Sequence, residues 1–236
     1  MNAYKRMFPR QYTFLPVIHV EYPVQAVRNA NIAFGEGADG IFLINHRIPA
    51  NELQRCYASV RERHPNKWIG LNWLDLTPAE AMTTMERTIG GIWVDNAGVY
   101  EDEHGDIEAR TLARMHHYLE KEWRVSFLLF GGVAFKYQNA VKDLAHVAKQ
   151  AMFHVDVITT SGTRTGSPPD IEKIRTIRNA IGEDFPLAIA SGTTPENVTE
   201  FLPYVDCFLV ATGISDSHTE LNPTLVRKFK NALSYS

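Results

Sequence analysis

Eight times in succession a short apolar run is followed by a longer stretch whose apolar residues recur with helical spacing, and this alternation restricts the chain to folds in which helices cross a parallel sheet. The apolar runs fall at 14–20, 40–46, 68–75, 91–97, 124–133, 156–162, 186–192 and 206–213. The helical stretches fall at 23–36, 50–63, 78–88, 107–121, 138–151, 170–181, 195–202 and 222–233. Eight strand-helix units suffice to close the sheet on itself. The pattern therefore predicts an α/β fold, a single (β/α)8 TIM barrel occupying residues 1–236. An open doubly wound sheet would place a glycine-rich turn after its first strand, whereas Glu21-Tyr22-Pro23-Val24 contains no glycine.

Local signals agree with the boundaries. Pro49 and Asn51, Thr77-Pro78, and Pro168-Pro169-Asp170 are helix starts, and Gly182 after Ile181 is a stop. A formal charge of −3 and a pI of about 6.3, with no Lys/Arg-rich run, argue against nucleic acid as a partner. No segment approaches the roughly 20 apolar residues of a membrane helix, so no membrane insertion is expected. Cys56 and Cys207 form no disulfide framework, which predicts a cytoplasmic protein. A homo-oligomer is expected only because symmetric assemblies are common.

In such a barrel the reacting groups sit at the C-terminal ends of the strands. That rule selects His19 and Glu21, Asn45 and His46, Asn72 and Asp75, Asp95 and Asn96, Lys136 and Gln138, and Thr160 and Ser161. The strongest local signal is a pair of turns, Ser191-Gly192-Thr193-Thr194-Pro195-Glu196-Asn197 after strand seven and Ala211-Thr212-Gly213-Ile214 after strand eight. Small residues there let backbone N–H groups approach an anion, and this is where these barrels hold phosphate. A third turn, Ser161-Gly162-Thr163-Arg164-Thr165-Gly166-Ser167, adds hydroxyls and a guanidinium. The phosphate candidates are thus Ser161, Gly162, Arg164, Ser191, Gly192, Thr193, Thr212 and Gly213; the plain alternative is a set of tight βα turns with an exposed cation.

For the chemistry itself the candidates are His19, Asn72, Asp95, Asn96 and Lys136. Strand alternation forbids adjacent Asp95 and Asn96 from both facing inward, and shared parity with Ile92 and Val94 favours Asn96. Lys136, beside Val133, Ala134, Phe135 and Tyr137, could act as a base, form an imine or hold an anion. No cofactor is assigned. A divalent ion between His19, Glu21, His46 and Asp95 stays open, since nothing in their spacing fixes the distances. His116, His117, His154 and His218 are set aside as helix or loop residues without a catalytic part. The segment 98–107, with Glu101, Asp102, Glu103, His104 and Asp106, is expected to be a solvated acidic loop or a lid.

Two stretches resemble one family, the BtpA/SgcQ-like proteins of the ribulose-phosphate-binding barrel superfamily: Asp156 through Asp170, including Thr160-Ser161-Gly162-Thr163-Arg164, and Ser191 through Val198. Val17-Ile18-His19-Val20, Gly70-Leu71-Asn72 and the Lys136 segment are similar to the family's motifs on strands one, three and five. The chain departs from the family pattern at Glu21-Tyr22-Pro23-Val24, in place of a Pro-Gly-rich turn, and at Gly132 and Ala134, in place of an acid and an imidazole. The resemblance implies the barrel and a phosphorylated small-molecule ligand. It also leaves three roles open: an enzyme acting on a sugar phosphate or phosphoribosyl compound, a non-catalytic assembly factor of the kind described for photosystem I, and a metal-dependent hydrolase or lyase.

Overall fold

The computed structural model describes residues 2–101, 106–138, 140–164 and 166–234. Eight parallel strands close into one barrel: β1 (Thr13–Val20), β2 (Gly40–Asn45), β3 (Trp68–Asn72), β4 (Gly91–Val94), β5 (Leu128–Gly132), β6 (Val157–Thr160), β7 (Leu187–Ala190) and β8 (Cys207–Val210). β8 pairs back onto β1 with Phe14 opposite Phe208. The helices are α1 (Ala3–Met7), α2 (Pro23–Gly35), α3 (Ala50–Arg63), α4 (Pro78–Thr84), α5 (Asp106–Trp123), α6 (Leu144–Ala151), α7 (Ile171–Ile181) and α8 (Pro223–Ala232). No helix among the described residues is long and apolar enough to cross a membrane.

Capping explains where the helices begin. Thr77 and Glu80 form a reciprocal capping box on α4, Asp170 accepts from Glu172 N at the start of α7, and Asn222 accepts from Leu225 N ahead of Pro223 on α8. α2 buries Ala26, Ala30 and Ala33 against the sheet, small residues that let the helix lie close to β1. Several expected boundaries move, among them the start of the sixth helix, at Leu144 rather than 138, and three others have a visible cause. The fifth strand starts at Leu128 rather than 124, because Arg124 takes a left-handed φ of 52° in the turn that ends α5. The third strand stops at Asn72 rather than 75, because Leu74 N and the Asp75 carboxylate bond to Asn45. In place of a helix at 195–202 there is a single 3-10 turn, Val198–Glu200, whose approach is folded tightly by Asn197 bonding both Thr194 N and the Gly192 carbonyl.

The barrel interior is aromatic. Trp68 lies across its lower half, where a Cβ on Gly40, Gly70 or Gly91 would come within 2.7 Å of the indole. Phe8, following α1, packs edge-on to Trp68, and Tyr4 donates its hydroxyl to Thr13 Oγ1, so the N-terminal helix plugs the bottom. Trp93, Phe42 and Phe130 fill the next layer. Ile92 and Val94 instead lie in the layer between sheet and helices. At the C-terminal ends of the strands the interior opens into a cavity where polar groups join the aromatic ones.

Candidate active site at the barrel mouth

A cavity of about 270 Å³ occupies the mouth, at the small end for ligand sites. It is lined by the apolar Val17, Ile44, Trp93, Ala190 and Leu209, by the polar side chains of His19, His46, Asp95, Lys136 and His218, and by the turns at residues 191–193 and 211–213. His19 belongs to the last turn of pleat in β1, and Asp95 follows β4 with the parity of Trp93. The expected orientation at β4 is therefore corrected: Asp95 lines the cavity, while Asn96 turns aside, donating to Tyr100 Oη and accepting from Gly98 N. Hydrophobic Ile92 and Val94 could not report the inward face, because the helix-facing side of a barrel strand is as apolar as the interior.

Asn72, buried at the end of β3, donates through Nδ2 to Asp95 Oδ1 at 3.0 Å. Burial pushes the Asp95 carboxyl above the usual carboxylate range, against the opposing pull of that hydrogen bond and of the Lys136 charge. Lys136 lines the mouth and also an adjoining pocket of about 580 Å³ beside α7. That pocket contains Lys173, which the sequence reading missed; its Nζ donates to the Ala134 and Ser161 carbonyls, and burial brings its pKa down to about 8. The bonded Ala134 carbonyl belongs to a residue in the left-handed region at φ 46°, so Lys173 anchors the backbone that delivers Lys136.

The three turns divide in two. Ser191, Gly192, Thr193, Thr212 and Gly213 line the mouth, whereas Ser161 and Gly162 line the adjoining pocket and Arg164 is exposed, bonding Ser167 Oγ. Ser161 Oγ is engaged internally, accepting from Lys136 N and donating to the Gly162 carbonyl. The glycines serve close packing of turn on turn. A Cβ at Gly192, whose φ is 67°, would lie 2.0 Å from Pro168 N, and one at Gly213 would lie 2.1 Å from the Thr193 carbonyl. Thr193 Oγ1 and Trp93 Nε1 are buried and have no hydrogen-bond partner among the described residues.

His218, a loop residue as its sequence position implies, reaches the mouth: its ring nitrogens lie 3.0 Å from His19 Nδ1. The segment between β8 and α8 doubles back through a Ser215–Leu221 bridge and carries His218 over the end of β1. Two buried amides on α2 fix it there: Gln25 donates to the His19 and Thr219 carbonyls, and Asn29 donates to the Thr219 carbonyl and accepts from Leu221 N. Their spacing of four on an otherwise alanine-rich buried face was the legible sign. Burial, reinforced by the His218, His46 and Lys136 charges, lowers the His19 pKa to about 3 and also lowers that of His46.

Among the described residues, His19, His46 and His218 have their ligand atoms within 4.8 Å of one another. Glu21 and Asp95, grouped with His19 and His46 on sequence grounds, are not part of it: Glu21 pairs with Arg47 on the surface and Asp95 with Asn72. Asn45, Asp75 and Gln138 are structural ties. Asp75 bonds Asn45 and Ala50 N, and Gln138 links the Asp95 and Gly132 carbonyls. His116 bonds the Phe127 carbonyl on the outer side of the barrel. Asp102, Glu103 and His104 of the acidic segment lie outside the described residues, as does the side chain of Asp106.

A closed barrel of eight parallel strands with a cavity at their C-terminal ends defines a TIM-barrel protein. Within that class the chain belongs to the BtpA family, whose model matches residues 80–233. An uncharacterised protein of Pyrococcus horikoshii is 29% identical over 73 residues, a stretch that is 31% of this chain and 27% of that protein. Phosphoribosyl anthranilate isomerase of Thermus thermophilus superposes with a TM-score of 0.67 at 15% identity, covering 94% of this chain and 98% of the isomerase. The (S)-3-O-geranylgeranylglyceryl phosphate synthase of Thermoplasma acidophilum, in complex with sn-glycerol-1-phosphate, gives 0.69 at 11% identity, covering 100% of both chains. At these identities the likeness is one of fold.

Proposed function

We propose that the protein is an enzyme acting on a small sugar phosphate or phosphoribosyl compound. The observation that carries this reading is a single cavity lined both by the main-chain turns after β7 and β8 and by Asp95, Lys136 and His19. Backbone N–H groups of residues 191–193 and 212–213 would receive the phosphate, those of Thr194 and Ile214 being bonded to Asn197 Oδ1 and the Ala211 carbonyl. The unpartnered Thr193 hydroxyl supports a polar ligand beside those turns, since a buried hydroxyl left unbonded costs about 1–3 kcal/mol. The names of the two superposed enzymes, one a phosphoribosyl isomerase and one bound to a glycerol phosphate, fit a phosphorylated substrate.

In this reading Asp95 moves a proton, its raised pKa bringing it closer to neutral pH. Asn72 holds that carboxyl in place, and Lys136 polarises or neutralises an oxygen on the sugar. The test is a turnover and binding survey across sugar phosphates and their unphosphorylated parents. Phosphorylated compounds should bind at least tenfold more tightly, and Lys136→Ala should abolish turnover while leaving phosphate affinity within about threefold. Equal binding of both series, or unchanged turnover in Lys136→Ala, rejects the assignment.

A further inference from the structure

We propose that His19, His46 and His218 hold one divalent transition ion of the zinc type, with a coordination position open to the mouth cavity. The three imidazoles come from the end of β1, the loop after β2 and the doubled-back segment after β8, so no local sequence pattern brings them together. Their ligand atoms already lie within 4.8 Å of one another, and those of His19 and His218 within 3.0 Å. Zinc-nitrogen bonds of about 2.0–2.1 Å in a tetrahedron put nitrogens ~3.3 Å apart, so the cluster needs only a small inward adjustment to hold the ion. His46 and His218 are exposed and can turn to make that adjustment, while His19 is held in β1.

The donor set selects the ion. Imidazole suits zinc, cobalt, nickel, copper and iron, whereas magnesium and calcium require oxygen donors, which this cluster lacks. Three protein ligands with a fourth position free is also the arrangement of catalytic rather than structural zinc. Three neutral imidazoles leave the ion's full double charge uncompensated, and Lys136 stands on the same cavity. The open position therefore favours an anionic or strongly polarised oxygen. Its pairing with a sugar phosphate rests on the function proposed above; the ion site itself does not.

The experiment is a titration of the untagged full chain with cobalt(II), followed by visible absorption, and with zinc(II), followed by calorimetry. One ion per chain is expected, with cobalt bands of low-symmetry four- or five-coordination. His46→Ala and His218→Ala should each weaken binding at least tenfold, with far-UV circular dichroism unchanged because both side chains are exposed. Absence of stoichiometric binding, or unchanged binding in both variants, overturns the site. Inorganic phosphate is titrated with and without zinc. Phosphate binding without ion binding overturns the metal site and leaves the phosphate reading standing; ion binding that survives while no phosphate ester binds does the reverse.

Discussion

The Asp95 carbonyl oxygen fills the space in which a side chain on Gly132 would begin: a Cβ there would lie 1.9 Å from it. Gly132 is one of the two strand-five positions at which the resemblance noted above implies a different residue, and the backbone here admits only glycine. Ala97 N bonds the Gly132 carbonyl, and Gln138 bonds the carbonyls of both Gly132 and Asp95, holding the ends of β4 and β5 together. Gly132→Ala is expected to destabilise the fold by about 2–4 kcal/mol, read from urea unfolding, because main chain rather than a flexible side chain has to yield. Gly132→Asp, which introduces the acid that the resemblance implies, should be worse. A soluble, fully stable Gly132→Asp protein would show that the two strand ends are not locked as described.

Asp95 gives a prediction about pH. Burial, partly offset by Asn72 and Lys136, raises its folded-state pKa above the unfolded value, so the folded chain binds the proton more tightly. The associated stability is fully present below the unfolded value of about 3.9 and is lost as pH rises through the higher folded value. Asp95→Asn removes this loss. The variant should gain stability relative to the parent as pH rises from about 4 to 8, while turnover falls about 10²–10⁴-fold if Asp95 is the proton carrier. Denaturant midpoints across that range check the first part; a difference that shrinks with rising pH contradicts it.

Asn29 is buried and bonds both the Thr219 carbonyl and Leu221 N, holding the segment that carries His218. Asn29→Ala leaves Leu221 N without its acceptor, at a cost of about 1–3 kcal/mol, and leaves the Thr219 carbonyl to Gln25 alone. Hydrogen exchange at the Leu221 amide should accelerate, whereas amides in β3 to β6 keep their protection. Uniform acceleration throughout the barrel would mean that Asn29 supports the fold as a whole and not this segment in particular.

The barrel was legible in the sequence because a strand buried on both faces needs a continuous apolar run, and eight such runs stand out. That same property hid the inward face of β4. Ile92 and Val94 look like interior residues but face the helices, and the interior takes Trp93 and Asp95. His218 was illegible for another reason. Its place depends on a reversal of chain direction at residues 215–221 and on Gln25 and Asn29, 194 and 190 residues away from Thr219. The turns at 191–193 and 211–213 were found because small residues mark backbone crowding, although the crowding here is of turn against turn.

β1 closes the sheet only by pairing with β8, and His19 meets an imidazole that lies 199 positions later. A ribosome must therefore deliver nearly every βα unit before the mouth has its last wall. Truncated products and stalled nascent chains contain the early groups, His19, Asn72 and Asp95, but no enclosure for them. The order of the units along the chain thus leaves the mouth open on one side until β8 and the segment bridged by Ser215 and Leu221 are in place.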